Sequence, residues 1–304
     1  MAEKISIEAI LDLIRDRDWD RVSPILAEQH PADVADIIDR APSDLQDDVF
    51  GLLPAERQPD VLAELESMAG SEVLESLTPQ EISDIVEDMA PDDAADVLAE
   101  LPVERSRHVL DLMEESESRE VRKLLEYAED TAGGIMTPDV ASVPQEAPVS
   151  DALEAVADVE DDTPFYYAYI VDEGGRLTGY VDIWELLRCR DRSRPVRELM
   201  HGDPVAADVG MDQEEVARLM NQYDLSTVPV IDAAGRLLGR VTYDDVIDVM
   251  EEEASEDIFL LAGSDDAELE SASPFRSCLV RLPWLFITLL GGFVTSLILR
   301  QYHA

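Results

Sequence analysis

Lysine is nearly missing from this chain. Lys4 and Lys123 are the only two, so almost every other cation is an arginine, and 23 basic residues face 69 acidic ones for a formal net charge of −46. That balance excludes a nucleic-acid partner gripped through a basic surface. Cysteine is scarce as well: Cys189 and Cys278 are too few and too scattered for a disulfide framework or a zinc site. The four histidines, His30, His108, His201 and His303, form no ligand pair at i, i+3 or i, i+4. No Walker loop, nucleophile elbow or histidine-based constellation is present, so an enzyme is not expected. The first thirty residues are too charged for a signal peptide, which points to a cytosolic N-terminus.

Acid excess with so little lysine resembles adaptation to a salt-rich cytoplasm. At about 1 M salt the Debye length is only ~3 Å. Long-range repulsion is then largely gone, and a charge-based switch has to work through direct or water-bridged ion contacts.

The length of 304 residues suggests about two domains. Residues 1–129 read as a run of short helices. Proline recurs at Pro31, Pro42, Pro54, Pro79, Pro91 and Pro102, and each is expected just inside a helix start, where the missing amide costs nothing. Segments of eight to ten residues cannot stand alone, so they must stack into a superhelix. Asp92, Asp96 and Glu100 fall along one face of one such helix. The Gly133–Gly134 pair marks the first boundary.

Beyond it lies an internal repeat. AYIVDEGGRLTGYVDIWELL from Ala168 matches VPVIDAAGRLLGRVTYDDVI from Val228, pairing Asp172 with Asp232, Gly175 with Gly235, Arg176 with Arg236 and Gly179 with Gly239. Upstream, Met136–Pro138 corresponds to Met200–Pro204, and an amphipathic helix follows each. Each unit therefore reads helix, strand, glycine turn, strand, helix, and two such units are expected to pack face to face. The Asp-to-Gly turns admit the positive φ of a tight hairpin.

The stretch Val241–Asp257 then runs from a strand into a helix with an acidic row, Asp244, Asp248, Glu252 and Glu256, at i, i+4 spacing. Like charges so placed destabilise an isolated helix by a few tenths of a kcal/mol per pair, so a neutralising cation is expected. Further on, the 18 residues Leu282–Leu299 carry no charge and span about 27 Å as a helix, enough for a bilayer core. Trp284 and Tyr302 near its ends and the flanking Arg281 and Arg300 suit a membrane interface.

The repeated hydrophobic-Asp-x-x-Gly-Arg-Leu-x-Gly pattern resembles a tandem of CBS modules, a pair that often binds an adenine nucleotide. With the helical run before it, DQEEVARLM at 212–220, VTYDDVIDVM and EEEASEDI, the chain resembles the MgtE family of magnesium channels. The resemblance implies a multidomain fold: an all-α superhelical domain over 1–130, α/β CBS modules over 131–194 and 195–250, an acidic connector helix and linker over 251–281, and a first transmembrane helix over 282–301. It implies a homodimer through the CBS modules, located in the cell membrane with its N-terminal domains cytoplasmic and in contact with membrane lipid.

The resemblance further implies Mg²⁺ as both cargo and regulator, bridging acidic interfaces to favour a closed state. By position, the matching metal ligands are Asp212, Glu214, Asp224, Asp245 and Asp248, then Glu253, Glu256 and Asp257 on the connector, with Asp92 and Asp96 on the helical domain. Oxygen ligands used one or two at a time suit Mg²⁺, which keeps several waters. Calcium also accepts such ligands. For a nucleotide such as ATP, Thr242 and Asp245 match a ribose-binding pattern, Glu185 takes the corresponding place in the first module, and Tyr169 is a candidate to stack on adenine. Family members have five membrane helices per subunit and this sequence includes one, so a truncated channel, or a split one completed by another chain, is expected. The alternative reading is a membrane-tethered CBS-pair nucleotide sensor that regulates another membrane protein.

Overall fold

The computed structural model describes residues 6–65, 67–159, 166–247 and 249–250. The acidic connector and the apolar run at 282–299 lie outside the described residues. Among the described residues no helix is long and apolar enough to cross a membrane.

The first part is a two-layer helical array with a strict pitch. Helices α1 (Ile7–Arg15), α2 (Trp19–Leu26), α3 (Pro31–Asp39) and α4 (Ser43–Phe50) lead to a 3-10 turn at Ala55–Arg57 and α5 (Gln58–Ala63). They are followed by α6 (Ser67–Ser76), α7 (Pro79–Val86), α8 (Pro91–Ala99), α9 (Val103–Leu112) and α10 (Glu115–Leu124). Counting the 3-10 turn with α5, the starts fall at 7, 19, 31, 43, 55, 67, 79, 91, 103 and 115, one every 12 residues. Along most of the array a helix packs chiefly on the one after next, α3 on α5, α4 on α6, α7 on α9 and α8 on α10, while α1 packs chiefly on α2. Helices this short gain their stability from such packing rather than from intrinsic propensity.

The prolines divide into two classes. Pro31, Pro79 and Pro91 open their helices as expected. Pro42, Pro54 and Pro102 stand one residue earlier, at the cap, with ψ between 133° and 142°. The ring fixes φ near the value both positions need, and neither position requires an amide donor, so sequence spacing alone does not separate them.

Two arginines lock the array. The Arg57 guanidinium donates to the carbonyls of Leu26, Ala27 and Gln29. Arg105, four repeats later, donates to those of Leu74 and Leu77 at 2.6 and 2.5 Å. Both satisfy carbonyls left open where a helix ends.

The second part holds two modules. The first comprises β1 (Ser142–Pro144), α11 (Val149–Ala157), β2 (Tyr167–Val171), β3 (Leu177–Asp182) and α12 (Ile183–Arg188). The second comprises β4 (His201–Gly202), β5 (Ala207–Asp208), α13 (Gln213–Tyr223), β6 (Thr227–Ile231) and β7 (Leu237–Thr242), after which the chain is helical again from Tyr243. The sheets run β1-β2-β3-β4 and β5-β6-β7.

The modules exchange their leading segments. Strand β4, which opens the second unit, pairs antiparallel with β3 of the first. Reciprocally, Thr137, from the start of the first unit, pairs with Arg240 on β7, with both amides donating at 2.9 Å. Both crossings need a glycine. A Cβ on Gly179 would run into the His201 carbonyl, and one on Gly239 into that of Thr137. The repeated turn glycines behave as expected, with Gly175 at φ 76° and Gly235 at φ 77°. Their hairpin tips clasp each other, Leu177 N–H donating to the Gly235 carbonyl at 2.9 Å and Leu237 N–H to that of Gly175 at 3.0 Å.

The first module has its own apolar core of Val143, Val149, Ile170, Val181, Leu186 and Val196. The core of the second, including Val216, Met220, Val228 and Val230, is continuous with that of the helical array through Ala132 and Met136. The linking segment is pinned there by Ala132 N–H to the Met211 carbonyl and Gly133 N–H to that of Val209. Between the sheets Tyr169 is only 3% exposed, with its hydroxyl 3.4 Å from Thr227 Oγ1. Burial pushes its pKa up to about 12, against smaller opposing effects of that hydrogen bond and of Arg240.

Arg105→Ala should lower stability by about 2 kcal/mol, since it abandons two carbonyls bonded to a charged donor. Arg107→Ala, which removes only the exposed pair with Glu104, should cost under about 0.5 kcal/mol. Denaturant midpoints of the two variants compare these directly. Because the Tyr169 pKa is raised in the folded state, its contribution is complete below pH ~10 and is lost as pH rises toward 12. The stability gap between wild type and Tyr169→Phe should therefore shrink across that window, and a constant gap would contradict the assignment.

Candidate functional site

The pseudo-twofold relation between the modules gives two equivalent regions where an exchanged segment meets the neighbouring sheet, His201 on β3 and Thr137 on β7, referred to below as the first and second cleft. In the second module, Thr242 ends β7 and Asp245 lies three residues on, in the first turn of the helix that follows. The half-buried Asp245 Oδ2 accepts from Thr242 N–H at 3.1 Å and from its Oγ1 at 2.5 Å. The carboxylate thus reaches back to the residue that opens its own helix, holding both the amide and the hydroxyl of Thr242.

The first module resolves the same problem differently. Asp182, at the place of Thr242, caps α12 by accepting from Trp184 N–H at 2.7 Å. That leaves Glu185, at the place of Asp245, to reach across to the exchanged strand. Its Oε2 is 3.0 Å from His201 Nε2. The imidazole lies over Tyr180 with ring centres 5.4 Å apart and planes at 29°, and Tyr167 meets Tyr180 edge-on at 5.2 Å. A ladder of three rings therefore crosses β2, β3 and β4 and ends in a carboxylate. Burial raises the Tyr167 pKa, assisted by Tyr180 and Asp182.

Among the expected nucleotide residues, Thr242 and Asp245 are brought together and Glu185 lines the related cleft. Tyr169 is buried between the sheets against Thr227, so its ring presents no open face in this arrangement. The half-buried Tyr180 and the exposed His201, whose rings stack here, carry no ligand-facing signal of their own in the sequence. The correspondence of Met136–Pro138 with Met200–Pro204 was the available signal, because it places His201 in the strand that crosses between modules.

The expected metal ligands sit on separate elements. Asp212 N-caps α13, accepting from Glu214 N–H at 3.0 Å, and Glu214 pairs with Arg218 one turn along. Asp224 closes the same helix in the left-handed conformation, φ 52° and ψ 44°. On α8, Asp92 is 9% exposed in the first turn and Asp96 faces solvent one turn later. Among the described residues no three His, Cys, Asp or Glu side chains converge to hold an ion. Asp248, Glu253, Glu256 and Asp257 lie outside the described side chains.

Residues 29–130 match the MgtE intracellular N domain, and residues 132–192 and 196–252 match the CBS domain. A magnesium transporter MgtE of Thermus thermophilus is 43% identical over 181 residues, covering 59% of this chain and 40% of that protein. The one from Enterococcus faecalis is 35% identical over 179 residues, covering 59% and 39%. The chain thus matches about two fifths of the length of these relatives. Among solved structures, the cytosolic domain of the Mg²⁺ channel MgtE in complex with ATP superposes with a TM-score of 0.70 at 35% identity, over 80% of this chain and all of that one. The soluble part of a magnesium transporter superposes at 0.68 with 26% identity, over 82% and 98%. On this evidence from both halves of the described structure, the chain belongs to the MgtE family.

Proposed function

We propose that this chain is the cytosolic Mg²⁺-sensing and gating region, with the first membrane helix, of an MgtE-type magnesium channel or transporter. The superposition on the cytosolic domain of the Mg²⁺ channel over that chain's whole length carries the reading. Asp212, Glu214, Asp224 and Asp245, with Asp92 and Asp96 on the helical array and Asp248, Glu253, Glu256 and Asp257 beyond, are the candidate ligands.

The donor set fits a hydrated dication. Every member is a carboxylate, and they come from different elements in ones and twos, as suits an ion that keeps most of its waters. Bound Mg²⁺ supplies the positive charge that lets acidic surfaces approach. The residues supply weak sites that exist only when elements come together, so occupancy favours the closed arrangement. Moving such an equilibrium from 1:99 to 99:1 takes about 5.5 kcal/mol. Sites with a tenfold preference contribute about 1.4 kcal/mol each, so roughly four suffice.

A homodimer through the CBS modules completes the reading. Trp184, Leu187 and Tyr243 are large apolar side chains left about half exposed or more on the helices that follow β3 and β7, as a surface awaiting a second copy would be. A further feature is adenine-nucleotide binding by the CBS pair, which the ATP complex of the similar cytosolic domain supports; Thr242 with Asp245 in the second cleft and Glu185 with the ring ladder in the first are its candidate residues, and the open His201 ring favours the first.

In limited proteolysis, Mg²⁺ at millimolar concentration should protect the chain, and NaCl at equal ionic strength should not. The triple variant Asp212→Asn, Glu214→Gln, Asp245→Asn should need several-fold more Mg²⁺ for equal protection. Cleavage that ignores Mg²⁺ would refute the sensing role.

A further inference from the structure

The first cleft contains a ring whose position only its cross-module contacts explain. His201 comes from the second unit, on β4, yet its imidazole is held by the first: Tyr180 on β3 lies against one face, and Glu185 on α12 accepts at its edge. Tyr167 buttresses Tyr180 in turn. The His201 side chain nevertheless remains half exposed, at 50%. A planar ring backed on one face, fixed against rotation by a carboxylate and open to solvent beyond is a pre-organised platform for another flat ring. Tyr169, the other aromatic candidate, is enclosed between the sheets.

From this geometry we infer that His201 is the base-stacking residue of the nucleotide site, with Glu185 as the group that orients it. This inference rests on the nucleotide reading of the cleft and assigns its specificity. The purine lies on the outer face of the imidazole, extending the ladder Tyr167–Tyr180–His201 by one member. Stacking accepts any base with a π face, so His201 provides affinity and places the base without reading its edge. The second cleft has no counterpart, because Thr137 occupies the position related to His201 and Arg240 the one related to Tyr180.

Calorimetric titration of the full chain with ATP tests this. His201→Ala should weaken binding by roughly tenfold or more, the range for removal of a stacking partner. His201→Phe should restore it to within a few-fold, because the flat face is kept while the bond to Glu185 is lost. A second readout needs no substitution: with four histidines in the chain, the His201 ring protons can be followed by NMR. They should shift upfield on addition of ATP and stay in place with tripolyphosphate. If ATP does not bind the wild type, the nucleotide reading fails and this inference with it. If ATP binds but the His201 signals do not move, or His201→Ala binds as tightly as wild type, the site stands and His201 is not its stacking residue.

Discussion

The exchange of leading segments between the two CBS modules is the constraint on which the rest of the structure depends. Because β4 extends the first sheet and Thr137 bridges to β7 of the second, each module's sheet is bordered by a segment of the other. Gly179 and Gly239 are where this is enforced, since any side chain there would displace the incoming backbone. The clefts, the ring ladder and the clasped hairpin tips all follow from that crossing. It also ties the pair to the helical array, whose final segment enters the second module through Ala132 and Gly133 before the first module begins.

Much of this was legible in the sequence, for physical reasons that differ by region. Proline tolerance at helix starts left a periodic mark, and the array has a helix every 12 residues where those marks fall. The 60-residue offset between Asp172 and Asp232 identified equivalent turns, and both adopt the same backbone, each aspartate accepting two amide hydrogens within its own turn. What a repeat cannot reveal is which residues touch across it. Gly179 and Gly239 are visible in the sequence only as equivalent positions of the repeat, although their role is close approach. His201 read as an unpaired histidine, because Glu185 and Tyr180 reach it only after the exchange. Arg57 and Arg105 gave no signal either, since their partners are backbone carbonyls about thirty residues away.

On the proposed function, the acidic composition serves two ends. Most carboxylates line solvent-facing positions along the helices, as a salt-tolerant surface requires, and several already close helix ends or pair with arginine. The candidate ligands are drawn from the same population: Asp212 and Asp245 each accept a hydrogen bond at a helix start, Asp212 exposed and Asp245 half-buried. A carboxylate fixed by capping loses little further freedom when it meets a hydrated ion. Weak, pre-oriented sites of this kind are suited to sensing a cation that is always abundant, where tight sites would stay saturated.

Small-angle scattering of the chain across a Mg²⁺ titration addresses the central claim most directly. A radius of gyration that contracts cooperatively in the millimolar range, and not in NaCl of matched ionic strength, is the predicted result. An unchanged radius, or equal contraction in both salts, would mean that the acidic surfaces answer only to screening and do not bind the ion.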